Sequence, residues 1–513
     1  MKNIEDISDF LRNELSQCAY NYDDLDEELG LRVGTILRIV DATGDYSVIE
    51  LMAVLERFGL ELDIFEKEEL KMMRDGPRGP SPKLGVKTKV QIALDRLAST
   101  SACDRRHIEV YYGGWGECWL LGTLEQGAGE NIYFEYSRQA LEETLELSPL
   151  KLPLSRNVYF GFPETQHRLP GLIADSLPDG WGMLLMERLW MKQGIEVANK
   201  TPLDRLSFVG HFTMGALTYL LSDVHRDTEN DVSLLQIAEH AQEVMSGKDR
   251  EFLERLVSLG AAPHGARPKA LVDYNVSTGA MGVHGVPNGV PWLVKFQSSG
   301  EHKEVCSIEH CYASLARDCG IDIPDTRYFD LSPELGAFGI ARFDREDGMC
   351  VPIHTLAGAT NADFRLPGAL DYQTFLQVTR NFTKDEHEVE KAFARVVFNV
   401  VFNNRDDHPK NFSFRLNRER QWKLSPAYDL TFAPGPGGYH HMDVMGEAKA
   451  ITRKHMIELA ASAGISTSTA QEHIDRHLVV AGRFGEVLKA ADVRPATVRE
   501  MAAQVNVNAE RLR

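Results

Sequence analysis

Residues 403–414 read NNRDDHPKNFSF. Two adjacent carboxylates, Asp406 and Asp407, stand beside His408; Lys410 and Asn411 follow, and Phe412 and Phe414 flank them. A surface loop needs few such groups and a core almost none. Asp406 and Asn411 have the D-x-x-x-x-N spacing in which an aspartate contacts an acceptor hydroxyl and an asparagine amide oxygen takes a metal. Transfer of a phosphoryl group from ATP asks for a carboxylate on the attacking hydroxyl, ligands for Mg2+, a cation on the phosphates and a backbone cradle.

The other parts occur in the order such chemistry uses. Asp429, in WKLSPAYDLTF, follows the first loop past a short hairpin and sits among apolar or aromatic neighbours, as a second metal carboxylate would. Lys295 lies in an apolar strand, PWLVKF, and a buried ammonium needs a partner; Glu309, in the helical segment SIEHCYASLARDCG, is the candidate. The cradle is GAAPHGARPKA, 260–270, where Gly260 and Gly265 leave backbone N–H groups free for phosphate oxygens and Arg267 and Lys269 add positive charge. Each part alone has an ordinary explanation. A strand lysine can snorkel to solvent, Asp429 can cap a helix, His408 can be a hydrogen-bonded structural residue, and Gly-Ala-Pro stretches are usually loops. The conjunction, in sequence order, is what favours phosphoryl transfer.

Positioning these residues takes more than one domain, since 513 residues exceed one ordinary core. An apolar fraction of 43% and a charged fraction of 26% are those of a soluble globular protein. Acidic residues exceed basic ones, 75 to 56, which argues against bulk attraction to nucleic acid or anionic membrane but leaves room for a local basic site. The start, MKNIEDISDF, has no apolar h-region, and no apolar run approaches the ~18 residues of a membrane span. The seven cysteines contain no C-x-x-C, and Cys306, Cys311 and Cys319 fit no zinc spacing, so the expectation is reduced thiols in a cytoplasmic protein.

Periodicity divides the chain into regions. Residues 1–72 read as a small all-helical helix-turn-helix unit: Ile4, Ile7, Leu11 and Leu15 recur at helical spacing, and YDDLDEELGL and VGTILRIV are short helices joined by a tight turn. RDGPRGPSPKLG opens a linker placed at 73–104. HIEVYYGG, CWLLGTL and NIYFEY alternate as strands, DSLPDGWGMLLMERLWMKQG starts a helix, and KALVDY and PWLVKF return to strand, giving a mixed α/β half over 105–345. Helical patterns dominate from 346 to 513. The expected class is α+β, with a mixed α/β lobe followed by an all-α lobe.

At this point the chain resembles the HipA-type serine/threonine kinase toxins, from about residue 107 to beyond 460. DSLPDGWGMLLMERL is similar to the family's N-terminal subdomain motif, and GARPKA, LVKF, ARFDRE, DDHPKNFSF and LSPAYDLTF follow in the family's order. The resemblance implies a two-lobed, kinase-like fold and an ATP- and Mg2+-dependent protein kinase. It puts Asp406 in the place of the catalytic aspartate and Lys295 in that of the ATP lysine. The segment His408, Pro409, Lys410 and Asn411 then meets nucleotide and Mg2+, and Tyr428 and Asp429 form the second metal segment, with Asn411 and Asp429 as the metal ligands. His264, Gly265, Ala266, Arg267, Pro268 and Lys269 match the phosphate loop, and Ala341, Arg342 and Phe343 the adenine side. Known members act on aminoacyl-tRNA synthetases, so a protein substrate linked to translation is what the family implies. The first 70 residues resemble the Xre-type helix-turn-helix of cognate antitoxins, here fused to the kinase-like part.

Two features qualify that picture. Residues 1–70 carry 18 Asp/Glu against 6 Lys/Arg, which opposes a large phosphate-contact term in DNA binding. Arg32, Thr35 and Arg38 still permit a weak or dimer-assisted DNA contact, so the unit is expected chiefly to restrain the kinase or mediate assembly. In known members a serine three residues before the loop glycine becomes phosphorylated and switches the kinase off; here that position is Ala262, and the switch is expected to be missing. The alternatives are a non-catalytic DNA-binding regulator with a kinase-like body and, more distantly, a metal-dependent phosphohydrolase using Asp406, Asp407 and His408.

Overall fold

A computed structural model describes residues 107–127, 131–219, 233–245, 253–260, 264–283 and 286–513. The chain divides into two units, Met1–Ser101 and Ala102–Arg513. The described residues belong to the second; the helix-turn-helix of 1–72 and the linker of 73–104 lie outside them. Ala262 also lies outside the described residues.

The first layer is an antiparallel sheet in the order β3-β2-β1-β4. Its strands are β1 (His107–Tyr112), β2 (Trp119–Gln126), β3 (Ile132–Tyr136) and β4 (Leu217–Tyr219). Period-two alternation buries Ile108, Val110 and Tyr112 on one side of β1. Helix α1 (Gly180–Lys192) buries Trp181, Leu185, Met186 and Leu189 at helical spacing. Helix α2 (Pro202–Val209) starts at a capping box in which Thr201 and Asp204 satisfy each other's backbone N–H, with proline at its first position. Helix α3 (Leu253–Gly260) packs on α1 and leads toward the next sheet.

That sheet has the order β6-β5-β7-β9-β8, every neighbour antiparallel. Its strands are β5 (Lys269–Tyr274), β6 (Met281–Gly282), β7 (Val290–Phe296), β8 (Thr326–Asp330) and β9 (Gly336–Ala341). Ala270, Val272, Tyr274, Trp292 and Val294 face the main core. The other face carries Leu293, Phe338, Ile340 and Tyr328, which meet Cys306 and Val305 of helix α4 (Glu304–Asp318). Lys295 alternates onto this second face, toward α4.

The region after 345 is mostly helical but not all-α, which corrects the sequence expectation. It contains the pair β10 (Arg345–Glu346) and β11 (Met349–Cys350), and a three-stranded sheet of β12 (Ile353–Thr355), β13 (Ser413–Leu416) and β14 (Trp422–Leu424). Strands of two to four residues are too short for a periodic signal to stand out. Helices α5 (Tyr372–Thr383), α6 (Glu386–Val401), α7 (Arg453–Ser462), α8 (Thr467–Ala481), α9 (Phe484–Ala490) and α10 (Pro495–Leu512) supply the rest. Helix α6 is buried almost all round, and the candidate chemical loop begins two residues beyond its last turn, where Asn403 turns left-handed at φ 56°. Among the described residues no helix is long and apolar enough to cross a membrane.

Candidate active site

Register places two lysines side by side. Lys269 on β5 is the cross-strand partner of Lys295 on β7, and both are buried. Like charges directly opposite in a sheet repel, so each needs compensation. Lys295 Nζ has it, at 2.6 Å from Glu309 Oε1 on α4 and 2.5 Å from Asp429 Oδ1. Burial alone would lower the Lys295 pKa, but Asp429 and Glu309 raise it well above the usual lysine range. Among the described residues Lys269 has no carboxylate at ion-pair distance; its ammonium donates to the His264 carbonyl. Burial first, and the Lys295 charge second, push Lys269 down to about 8.

Asp429 follows β14 and sits at φ 56°, a left-handed conformation that aspartate tolerates better than most side chains. Burial opposes its ionisation, yet Lys295 and then Lys269 hold its carboxyl well below the usual range. The preceding Tyr428 donates through its hydroxyl to the Lys410 carbonyl at 2.7 Å and lies against Phe343, ring centroids 5.4 Å apart.

The adjacent carboxylates Asp406 and Asp407 point into opposite environments. The Asp406 side chain is 62% exposed, and His408 Nε2 lies 3.8 Å from its carboxylate. Asp407 is fully buried and accepts from the Tyr372 hydroxyl at 2.5 Å, from His440 Nδ1 at 2.7 Å and from the His441 N–H at 2.7 Å. Burial alone would raise its pKa; His440 and Tyr372 overcome that and lower it. Asp407 therefore anchors the loop and Asp406 is left facing outward. Asn411 closes the loop on itself, its Nδ2 donating to the Asp406 carbonyl at 2.7 Å. A carboxamide oxygen and the Asp429 carboxylate are hard oxygen donors of the kind Mg2+ takes, so these residues fit the metal role. Pro409 starts a short 3-10 turn, Pro409–Asn411. The Nδ1 of His408 is buried with no hydrogen-bond partner among the described residues.

The loop 264–268 precedes β5. Burial, then the Lys410 charge, push His264 down to about 4, so its imidazole is neutral and its Nε2–H donates to the Leu177 carbonyl at 2.7 Å. Arg267 pairs with Glu301 at 2.9 Å and lies 3.8 Å from Glu309. The Gly265 N–H is not free, as the sequence suggested; it donates to Asp179 Oδ1. Asp179 also accepts from Lys410 Nζ at 3.0 Å. From the sequence, Pro178 and Asp179 are only the entry signals of the helix in DSLPDGWG; Asp179 does stand at its N-cap, but its carboxylate makes no capping bond and goes instead to partners 86 and 231 residues away, which local sequence does not reveal. At the far edge, Arg342 makes a two-pronged pair with buried Asp344, at 2.8 and 2.7 Å, so its charge is already committed. Ala341 closes β9, its N–H donating to the Asp325 carbonyl.

The chain matches the HipA N-terminal domain family over residues 109–220 and the HipA-like C-terminal domain family over residues 261–482. A Haemophilus influenzae protein named "Putative kinase" is 29% identical over 157 residues, which are 27% of this chain and 45% of that protein. A Sinorhizobium fredii protein named "Putative kinase Y4dM" is 28% identical over 214 residues, 37% of this chain and 52% of its own length. The chain thus spans about half the length of the curated relatives it matches. Among solved structures, a chain of the Shewanella oneidensis toxin–antitoxin complex of HipA, HipB and operator DNA superposes with a TM-score of 0.58 at 17% identity. The match covers 79% of this chain and 97% of that one, and establishes a shared fold.

Proposed function

From the matches to the HipA N-terminal and HipA-like C-terminal domain families, we propose that the chain is an ATP- and Mg2+-dependent kinase that transfers the γ-phosphoryl group to a hydroxyl of a protein. The observation that carries this reading is the buried lysine pair, Lys269 and Lys295, set opposite each other beneath the loop 264–268, of which, among the described residues, only Lys295 has a carboxylate at ion-pair distance. Two desolvated ammoniums in one wall are costly unless an anion completes the site. A triphosphate is such an anion.

In this reading Lys295, held by Glu309, contacts the nucleotide phosphates, and Lys269 and Arg267 add charge under and beside the loop. Asn411 and Asp429 would hold Mg2+, which when bound neutralises charge on the transferring phosphoryl group. Asp406 accepts the proton of the acceptor hydroxyl as its oxygen bonds to the γ-phosphorus and the bond from that phosphorus to the bridging oxygen of ADP breaks. The substrate is proposed to be a protein linked to translation, by family analogy. Labelled ATP and Mg2+ with host lysate, followed by mass spectrometry of labelled proteins, tests the reading; no label transfer and no nucleotide binding would defeat it.

The depressed Lys269 sets a pH dependence. A lysine with a pKa of about 8 is charged below that pH and neutral above it. Phosphates bind the charged form, so KM for ATP is expected to be level below about pH 7 and to rise up to about tenfold per unit above pH 8. Lys269→Arg, which keeps its charge, should flatten that alkaline limb. A KM profile that is flat to pH 9.5 in the unaltered protein would contradict the assignment.

The N-terminal unit is proposed to restrain the kinase or mediate assembly rather than to bind DNA tightly, given its excess of acidic residues. With alanine at 262, control by phosphorylation of the loop is not available at that position. Deleting residues 1–72 is expected to change kinase activity or oligomeric state, measured by turnover and light scattering. Unchanged values of both would count against restraint, as would tight promoter binding by the isolated segment at physiological salt.

A further inference from the structure

We propose that Asp179 is the clasp that holds the phosphate loop in register with the catalytic loop. It is a positioning residue contributed by the segment before α1, outside both loops. The inference rests on the reading of 264–269 as a phosphate loop.

Both carboxylate oxygens of Asp179 are committed. Oδ1 takes the Gly265 N–H and Oδ2 takes Lys410 Nζ at 3.0 Å. Neither charged side chain faces open water, at 16% exposure for Asp179 and 10% for Lys410. Among the described residues no direct hydrogen bond joins 264–268 to 406–411, and Asp179 is a single side chain that bonds to both of them. A single anion suits the task, because both partners are donors and each oxygen can serve one of them. An asparagine would turn an N–H2 group toward one of the two donors.

The neighbours of Asp179 fix the loop further. The Trp181 N–H donates to the Gly265 carbonyl at 3.0 Å, so Gly265 is gripped at both ends of its peptide unit by adjacent parts of one turn. The Trp181 indole N–H donates to the Lys269 carbonyl at 3.2 Å. Gly180 stands between them at φ 42°, and a Cβ there would lie 2.7 Å from the Gly265 oxygen and 2.8 Å from Ala266 Cα. The turn Asp179–Gly180–Trp181 is therefore in backbone contact with the loop, and its glycine is required by that approach. The same turn starts α1, whose buried Trp181, Leu185 and Leu189 tie it to the core. The clasp is thus rigid on one side and grips an otherwise glycine-bearing loop on the other.

The test uses the full chain and two variants, Asp179→Ala and Asp179→Asn. In nucleotide-free protein, hydrogen exchange of the peptide covering 264–270 is expected to quicken about tenfold or more in Asp179→Ala, while peptides from α8 stay unchanged. With ATP and Mg2+, KM for ATP is expected to rise about tenfold in Asp179→Ala and kcat to change less than threefold, because a positioning group acts on binding more than on the chemical step. Asp179→Asn, close in shape, guards against a folding artefact and should fall between the two. Exchange and KM both within twofold of the unaltered protein would overturn the proposal. So would tighter ATP binding in Asp179→Ala, which would make the carboxylate a competitor of phosphate. Should the unaltered protein bind no ATP at all, the kinase reading falls, and the exchange measurement still decides whether Asp179 holds the loop.

Discussion

Asp406→Ala is expected to lower kcat for phosphoryl transfer by ~10²–10⁴-fold, the range for loss of a positioned general base. Stability should hardly change. The Asp406 side chain is 62% exposed and stands 3.8 Å from His408 Nε2, beyond hydrogen-bond distance, so its removal leaves no buried partner unsatisfied. The loop geometry should also survive, because Asn411 binds the backbone carbonyl of Asp406 and not its carboxylate. Nucleotide affinity, assigned in the proposed function to Lys295, Lys269 and Arg267, should be retained. The neighbouring substitution gives the opposite pattern. Asp407→Ala removes the acceptor for Tyr372, His440 and the His441 N–H in a fully buried site, and a cost of about 3–5 kcal/mol in stability is expected. Its activity loss would follow from loop collapse and would track the loss of folded protein. Turnover and denaturant midpoint measured on both variants separate the cases. Near-normal turnover in Asp406→Ala, with loss confined to a stably folded Asp407→Ala, would show that the chemical carboxylate has been assigned one residue too early.

Lys295→Met is expected to cost both activity and stability. Methionine preserves most of the stem that lies over Phe338, where Nζ is 5.9 Å from the ring centroid. What is lost is the ammonium between Glu309 and Asp429, at 2.6 and 2.5 Å. Two carboxylates then face each other, with the Glu309 side chain only 3% exposed and Arg267 at 3.8 Å as its nearest remaining cation. Removing one member of such a buried group costs about 3–5 kcal/mol. Phosphoryl transfer should fall at least about a hundredfold, since a cation on the phosphates and the alignment of Asp429 go together. The pH dependence has a definite sign. In the unaltered protein the Asp429 pKa is depressed, so its stabilising contribution is present above the unfolded value of about 3.9 and is lost as pH falls below it. In the variant the two carboxylates repel, and taking up a proton relieves them. The stability gap between the two proteins should therefore narrow as pH falls from 7.5 toward 5. Denaturant titrations at those two pH values check this. A gap that is constant or widens on acidification would show that the lysine's charge is not what holds the pair.

Much of the site could be read from residue order. A lysine embedded in PWLVKF requires a counter-charge, and the next helix offers Glu309 at a position that α4 turns toward the sheet. The spacing of Asp406 and Asn411 follows from a loop short enough to close on itself, as the amide-to-carbonyl bond does. The strands β1 to β3, β5 and β7 were visible because half-buried strands alternate. Of the short strands only β13 and β14 are legible, as the hairpin expected before Asp429; β10 to β12 are not, because two or three residues give no period, and the region after 345 otherwise reads as helical for that reason.

What the sequence by itself determined was which chemical groups are present and in what order: the lysines, the carboxylates, the glycine-bearing loop and the amide. These belong to local segments, where covalent spacing limits what neighbours can do. The tertiary structure alone decided which of two identical neighbours does what. Asp406 and Asp407 have the same chemistry, and they differ because Tyr372, His440 and His441 converge on one of them from 33 to 35 residues away. Lys269 and Lys295 became a facing pair through strand register, and the 264–268 loop is gripped by a turn 86 residues upstream. Burial, partner and charge are properties of the packed surroundings, and in a chain this long most of the surroundings of any residue come from distant sequence.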